Sequence, residues 1–188
     1  MKSLQNITKE TAYYRGKEIT HCVGFSSFMM EFNKLQKKYN RSYNGNTGNC
    51  FDIEIDFATY IGTLAENPHA SWDAIGHNGK KWEIRTRNSE MLSATIHFMS
   101  SSAAMGKQLA NMGAVKEKCA KVDMFLVADT ARSAEKGLLE WWEIPSKSIV
   151  ELYNRKEFRQ GMRARKCNTP MKLSWSRFYK TMSWIFNK

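Results

Sequence analysis

The sequence predicts a mixed α/β fold, in which a small mixed sheet is flanked by helices. Three observations indicate this class. Apolar residues recur at helical spacing in 52–66, an Asn-Gly turn joins strand-like runs at 71–76 and 81–86, and an apolar run at 122–128 is typical of a strand in the middle of a sheet. At 188 residues, the chain is expected to form one domain, 1–188.

The same patterns predict the other elements in order. Residues 1–22 are polar and indicate no clear element. The start of 52–66 also alternates between apolar and polar residues, so a strand start remains open there, although the longer apolar stripe favours a helix. We expect helices at 25–39, 52–66, 103–120 and 148–155, strands at 71–76, 81–86, 93–99, 122–128 and 138–144, and a basic helical segment at 155–188.

Positive charge is concentrated in this C-terminal segment. The chain has 29 Lys and Arg against 18 Asp and Glu, a formal net charge of +11. Residues 155–188 contain ten of the basic residues and one acidic residue, Glu157. This imbalance predicts a polyanionic partner, with double-stranded DNA as the first candidate. A solvated basic tail is the alternative, but aromatic residues such as Trp175 and Phe178 favour a segment that folds onto the body.

Several other classes of protein are not expected. No apolar run approaches the ~20 residues that span a bilayer, and the N-terminal residues lack the apolar stretch of a signal peptide, so we expect a cytoplasmic protein. The four cysteines are widely spaced, which predicts reduced thiols rather than a zinc site or a disulfide framework. His77-Asn78 lacks the further histidine that an HNH nuclease needs.

The predicted hairpin brings together side chains that suit phosphodiester chemistry. Asp73 and Glu83 lie on neighbouring strands, and Arg85 shares a strand face with Glu83 because alternate residues point to the same side. Two converging carboxylates can bind Mg²⁺ together with water and phosphate, and an adjacent cation can stabilise developing negative charge. The alternative is a surface ion pair worth about 0–1 kcal/mol.

The stretch 73–86, DAIGHNGKKWEIRT, resembles the signature of the PD-(D/E)XK nuclease superfamily, which includes many type II restriction endonucleases. The family core runs helix, three strands, helix, strand, so the resemblance covers about residues 50–128. It implies a restriction-endonuclease-like core and a Mg²⁺-dependent DNA nuclease with Asp73 and Glu83 as metal ligands. Two positions depart from the pattern: Trp72 replaces the usual proline, and Arg85 replaces the usual lysine.

The resemblance implies further site residues. Because Arg cannot act as a base, Arg85 fills the lysine role electrostatically, or Lys81 or Lys107 supplies the ammonium, or catalysis is impaired. The additional acid of such sites is expected to be Glu54, with Glu31 and Asp56 as alternatives. The expected DNA contacts are Lys107, Gln108, Arg163, Arg165, Lys166, Lys172 and Arg177.

The function that we expect is Mg²⁺-dependent hydrolysis of DNA by a type II restriction endonuclease or by its catalytic subunit. A chain this short would cut both strands as a homodimer or with a larger recognition subunit. The alternatives are a structure-selective nuclease such as a junction resolvase, a non-catalytic DNA-binding protein with a degenerate nuclease site, and an RNA-binding protein.

Overall fold

The computed structural model describes residues 4–31, 47–65, 71–86, 95–97, 112–130, 137–154 and 172–187. Its strands are β1 (Leu4–Tyr14), β2 (Lys17–Ser26), β3 (Gly62–Leu64), β4 (Ala74–Gly76), β5 (Lys81–Thr86), β6 (Thr95–His97), β7 (Met124–Asp129), β8 (Leu138–Pro145) and β9 (Lys172–Ser174). Its helices are α1 (Thr47–Ile61), α2 (Met112–Lys121), α3 (Ser146–Asn154) and α4 (Trp175–Phe186), and residues 27–31 are also helical.

Seven strands form one mixed sheet in the order β1-β2-β8-β7-β5-β4-β3, while β6 and β9 form a separate pair. Within the large sheet, β5 and β7 are parallel and the other neighbours are antiparallel. Since a parallel pair needs a crossover connection, the chain between β5 and β7 includes α2. The predicted mixed α/β class is confirmed.

The N-terminal region forms a β-hairpin that the sequence patterns did not indicate. β1 and β2 pair in antiparallel fashion around the two-residue turn Arg15-Gly16, and β2 pairs with β8. Because β1 is an edge strand with most side chains exposed, its sequence lacks a clear apolar alternation. The helix predicted at 25–39 is correct only for 27–31: residues 25 and 26 belong to β2, and 32–39 lie outside the described residues.

The helix predicted at 52–66 is confirmed as α1, but it ends at Ile61 and β3 follows directly. Gly62 permits this change, since a Cβ at this position would overlap the carbonyl oxygen of Ile75 in the adjacent strand β4. The apolar residues at helical spacing therefore continue past the helix into β3, a short strand that is identified by its pairing with β4.

The predicted Asn-Gly hairpin is confirmed as β4 and β5, although β4 starts later than the predicted strand at 71–76. Gly79 has a φ of +76° in the turn, and its N–H donates to the carbonyl oxygen of Gly76 over 2.8 Å. Asn78 supports the turn by accepting from the N–H of Lys80 over 3.1 Å.

Gly79→Ala is expected to lower the free energy of unfolding by about 1 kcal/mol, because a side chain disfavours positive φ. The site has open space around the added Cβ, so backbone strain is the sole cost that we expect. Urea denaturation measures the change. An unchanged midpoint would show that the turn relaxes to another conformation.

The strand predicted at 93–99 is present as β6, but β6 pairs with β9 and not with β5. The third strand beside β4 and β5 is instead β3. The order helix, three strands, helix, strand is thus formed by α1, β3, β4, β5, α2 and β7, with β6 inserted before α2. The strands predicted at 122–128 and 138–144 and the helix at 148–155 are confirmed as β7, β8 and α3. The described part of the helix predicted at 103–120 is α2.

Apolar side chains cover both faces of the large sheet. On the α1 face, Phe57 of α1 packs in a buried cluster with Trp141 of β8. On the α2 face, Trp142 lies in a second cluster with Phe178 of α4. Both tryptophans are therefore core residues, as is Trp82.

The C-terminal helix α4 is amphipathic and packs onto the α2 face. Trp175, Phe178, Met182 and Ile185 are buried, whereas Lys180 is exposed. The expectation that this end folds onto the body is confirmed for α4. No helix in the described ranges is long and apolar enough to span a membrane.

Candidate active site

Asp73 lies directly before β4 and is held against β5 by hydrogen bonds. Its N–H donates to the carbonyl oxygen of Trp82 over 2.8 Å. Its Oδ2 accepts from the N–H of Ile84 over 2.7 Å. The main-chain pairing of β4 with β5 stops at Trp82, so the carboxylate of Asp73 takes the place of a main-chain partner where β4 begins.

Glu83 and Arg85 project from the α2 face of β5, as strand alternation predicts. Glu83 is only 2% exposed. Its Oε1 forms an ion pair with Nη2 of Arg85, and Nη1 of Arg85 donates to the carbonyl oxygen of Ile84 over 3.1 Å. A carboxylate this deeply buried needs a compensating charge, and Arg85 supplies one.

Lys118 of α2 is a second cation at Glu83, and it is not among the residues expected from the sequence. Its Nζ lies 2.5 Å from Oε2 of Glu83 and donates to the carbonyl oxygen of Ser71 over 2.7 Å. Burial is the largest cause that lowers the pKa of Lys118, to about 8. The sequence contains one indication that Lys118 is buried. It follows Val115 by three residues and precedes Val122 by four, so this lysine lies on the apolar face of α2.

Glu54 joins these groups from α1. Burial, followed by the negative charge of Asp73, raises the pKa of Glu54 to about 7 against the opposing effect of Arg85. Burial also lowers the pKa of Arg85, and Asp73 and Glu54 oppose that change. The charges of Arg85 and Asp73 act on Lys118 as well. Glu54, Asp73, Glu83, Arg85 and Lys118 therefore form one electrostatically connected set, which we call the β5 cluster.

The raised pKa of Glu54 predicts a stability that falls as pH rises. Glu54 has its ordinary pKa of 4.5 in the unfolded chain and a pKa of about 7 in the folded one. Between these values the folded protein holds more protons, so the free energy of unfolding decreases with increasing pH. The contribution of Glu54 is complete below pH 4.5 and lost above about 7. We expect a total of about 2 kcal/mol, because partial exposure reduces the effect.

Urea denaturation across this pH range, without divalent ions, measures that contribution. Glu54→Gln carries no titrating group at this position and is expected to give a flatter profile. Equal slopes for the two proteins would contradict the assignment.

The donor chemistry of the cluster fits Mg²⁺. This ion binds through one or two carboxylates and completes its coordination with water and phosphate, and Asp73 and Glu83 provide two such groups. Both oxygens of Glu83 are already in ion pairs with Arg85 and Lys118, so these cations and Mg²⁺ would compete for the same carboxylate. In the described part of the chain, no group of three or more His, Cys, Asp or Glu side chains is arranged to hold a metal ion.

The alternative site residues Lys81, Glu31 and Asp56 occupy different parts of the structure. Lys81 has its Nζ 4.0 Å from the ring centroid of Trp72, which is a cation–π contact. Glu31 is exposed in the helical segment 27–31, and Asp56 is half-buried on α1. Glu54 is affected by the charges of both Asp73 and Arg85.

The structure describes only some of the expected DNA contacts. Arg177 lies in the first turn of α4, where its N–H donates to Oγ of the N-cap residue Ser174 over 3.4 Å. Lys172 lies in β9 and pairs with His97 of β6. The expected contacts that fall outside the described residues are Lys107, Gln108, Arg163, Arg165 and Lys166.

Comparisons with known proteins add no relative. No protein-family model, curated protein or solved structure matches this chain. The function is therefore inferred from the chemistry of the β5 cluster and from the charge distribution of the chain.

Proposed function

We propose that this protein is a Mg²⁺-dependent DNA endonuclease. The observation that carries the proposal is that Glu83 is ion-paired with both Arg85 and Lys118. The charge of Asp73, directly before β4, also acts on these two cations. The succession α1, β3, β4, β5, α2 and β7, with β6 inserted before α2, is compatible with the order implied by the resemblance to PD-(D/E)XK nucleases.

Each group in the cluster has a property that phosphodiester hydrolysis needs. Asp73 and Glu83 would hold Mg²⁺, which when bound supplies an activated water and polarises the phosphoryl oxygen. Arg85 is suited to bind phosphate oxygens and to stabilise the negative charge that develops on them. Lys118, with a pKa of about 8, can exchange a proton near neutral pH, as a general acid must.

The fold also supports a DNA path past the cluster. β9 follows the strongly basic stretch that begins at residue 155, and it pairs with β6, which contacts β5. Lys172, in β9, is thereby paired with a strand that contacts the one carrying Glu83 and Arg85. Lys and Arg at this position would neutralise DNA phosphates and so contribute affinity without sequence preference.

Within this class, we propose a cytoplasmic type II restriction endonuclease or the catalytic subunit of one. A homodimer or a larger recognition subunit would then place two active sites on the two DNA strands. Linear duplex containing many sequences is the appropriate substrate for identifying a recognition site, and discrete fragments are the expected product. Preference for branched over linear DNA would instead indicate a structure-selective nuclease.

Removal of the metal tests the activity directly. Purified protein is expected to convert supercoiled plasmid to nicked and linear forms with Mg²⁺ and to leave it intact with EDTA. Ca²⁺, added in place of Mg²⁺, serves as a control for divalent charge because its larger and more flexible coordination differs from that of Mg²⁺. Cleavage that persists in EDTA, or no cleavage with Mg²⁺ or Mn²⁺, would contradict the proposal.

A non-catalytic DNA-binding protein is the second candidate, and the environment of Glu83 favours it. The side chain is nearly inaccessible, and a cation occupies each of its oxygens, as in a site that has become purely structural. Such a protein would bind duplex DNA with an affinity that falls steeply with salt and would not nick DNA with any divalent ion. Gel-shift titrations over a salt series, run beside the plasmid assay, distinguish the two candidates.

A further inference from the structure

A cleft with polar and aromatic lining residues lies on the α1 face of the sheet, on the side of β5 opposite to Glu83. It has a volume of about 280 Å³ and is lined by residues of β1, α1, the β4–β5 turn, β5 and β8. Trp82 belongs to the buried cluster of the α1 face, whereas the adjacent Glu83 points to the α2 face. The cleft is therefore separate from the β5 cluster. Its polar and aromatic lining residues are Lys9, Tyr60, His77, Asn78, Trp82 and Glu143.

Glu143 is held in a fixed orientation in the wall of this cleft. Its Oε1 accepts from the hydroxyl of Tyr60 over 2.7 Å, from Nε1 of Trp141 over 3.4 Å and from Sγ of Cys22 over 3.5 Å. Burial and the negative charge of Glu143 raise the pKa of Cys22 to about 12 and also raise that of Tyr60, so both remain protonated donors. Among the described residues, the contacts to Glu143 all involve Oε1, and 14% of the side chain is exposed. Oε2 is the acceptor that Glu143 can offer to a ligand.

Lys9 places a donor next to this acceptor. Its Nζ lies 3.7 Å from Oε1 of Glu143 and 5.3 Å from the ring centroid of Tyr60, and half of its side chain is exposed. The charges of Lys9 and Glu143 cancel. A matching ligand is therefore neutral at the contacting edge and presents a hydrogen-bond acceptor beside a donor.

Aromatic walls restrict the ligand further. The partly exposed Tyr60 contributes a flat surface of the kind on which planar rings stack. Trp82 also lines the cleft, but it is only 8% exposed, and its buried Nε1 has no hydrogen-bond partner in the described structure. The volume is just below the range of about 300–1,000 Å³ for small-molecule sites, which suits one small ring system. His77 and Asn78 add polar groups at the rim.

We propose that this cleft binds a nucleobase, either of a free nucleotide or of an unpaired residue in a DNA strand. Nucleobases are planar and neutral, and they carry hydrogen-bond donors and acceptors side by side along one edge. Lys9 would donate to the acceptor, Oε2 of Glu143 would accept from the donor, and the ring would contact Tyr60 and Trp82. This binding does not depend on DNA cleavage at the β5 cluster.

Calorimetric titration with the four deoxynucleoside 5′-monophosphates tests the proposal, with deoxyribose 5-phosphate as the control ligand. At least one nucleotide is expected to bind saturably and more tightly than the sugar phosphate. Lys9→Met and Glu143→Gln should each weaken that binding at least tenfold, whereas Lys116→Met, which removes one charge from an exposed position on α2, should not. Because Glu143 also holds buried donors, Lys9→Met at its half-exposed position remains the decisive variant if Glu143→Gln fails to fold.

A duplex with a single unpaired base, compared with its fully paired counterpart, distinguishes the two sources. Binding of monophosphates alone indicates a free nucleotide, while a preference for the unpaired base that Lys9→Met abolishes indicates a DNA residue. The proposal is overturned if none of these probes binds saturably, if deoxyribose 5-phosphate binds equally well, or if Lys9→Met binds as the wild type does. Glu83→Gln, in which cleavage is expected to be lost, should retain nucleobase binding, so the two proposals fail independently.

Discussion

Asp73→Asn is expected to reduce DNA cleavage about a thousandfold, within the range for loss of a catalytic acid–base or charge-stabilising group. The amide retains an oxygen that can accept from the N–H of Ile84, the hydrogen bond that Asp73 makes over 2.7 Å. The substitution therefore removes a negative charge while preserving the junction between β4 and β5. Initial rates of plasmid nicking at saturating Mg²⁺ measure the effect.

Asp123→Asn is a closely matched control for this experiment. Asp123 also accepts from a main-chain N–H of β5, that of Lys81, over 2.9 Å, but it is not part of the β5 cluster. We expect its cleavage rate to stay close to that of the wild type. Similar cleavage rates for Asp73→Asn and the wild type would show that Asp73 is not part of the catalytic site. If Asp123→Asn loses as much activity as Asp73→Asn, the loss is caused by the missing charge beside the main chain of β5 and not by a catalytic role of Asp73.

Glu83→Ala is expected to lower the free energy of unfolding by about 3–5 kcal/mol. Removal of one member of a buried ion pair leaves the remaining charge desolvated and uncompensated. In this protein two cations would lose their partner, Arg85 at Oε1 and Lys118 at Oε2. Urea denaturation without divalent ions measures the loss, and it tests the geometry of the cluster regardless of any catalytic role.

An exposed ion pair on the same helix as Lys118 provides the comparison. Glu117 and Lys121 are separated by 2.9 Å, but their side chains are 60% and 50% exposed. Glu117→Ala should therefore leave the free energy of unfolding close to that of the wild type. If Glu83→Ala is as mild as Glu117→Ala, the ion pairs of Glu83 are solvated and the buried cluster is wrong.

Addition of Lys118→Met to Glu83→Ala tests the coupling between the two residues. The double variant should lose less stability than the sum of the single variants, because the methionine leaves no unpaired ammonium beside the missing carboxylate. Strict additivity would show that Lys118 and Glu83 do not interact in solution.

Local sequence patterns were sufficient for the parts of the molecule that depend on near neighbours. The Asn-Gly turn defined the hairpin, and strand alternation placed Glu83 and Arg85 on one face. The apolar run at 122–128 identified the buried strand β7, and the aromatic residues of the C-terminal end indicated that α4 packs onto the body. In each case the structure follows from residues close together in the chain.

Contacts between distant segments decided the rest. The pairing of β3 with β4 depends on the close approach that Gly62 allows, and the pairing of β6 with β9 joins residues far apart in sequence. The ion pair between Lys118 and Glu83 and the raised pKa of Glu54 arise only when α1 and α2 pack beside β5. Periodicity reports which face of an element is apolar, whereas burial and pKa depend on the elements packed against that face. The sequence alone thus determined the spacing of the candidate acids and the concentration of positive charge, and the tertiary structure determined which cations contact those acids.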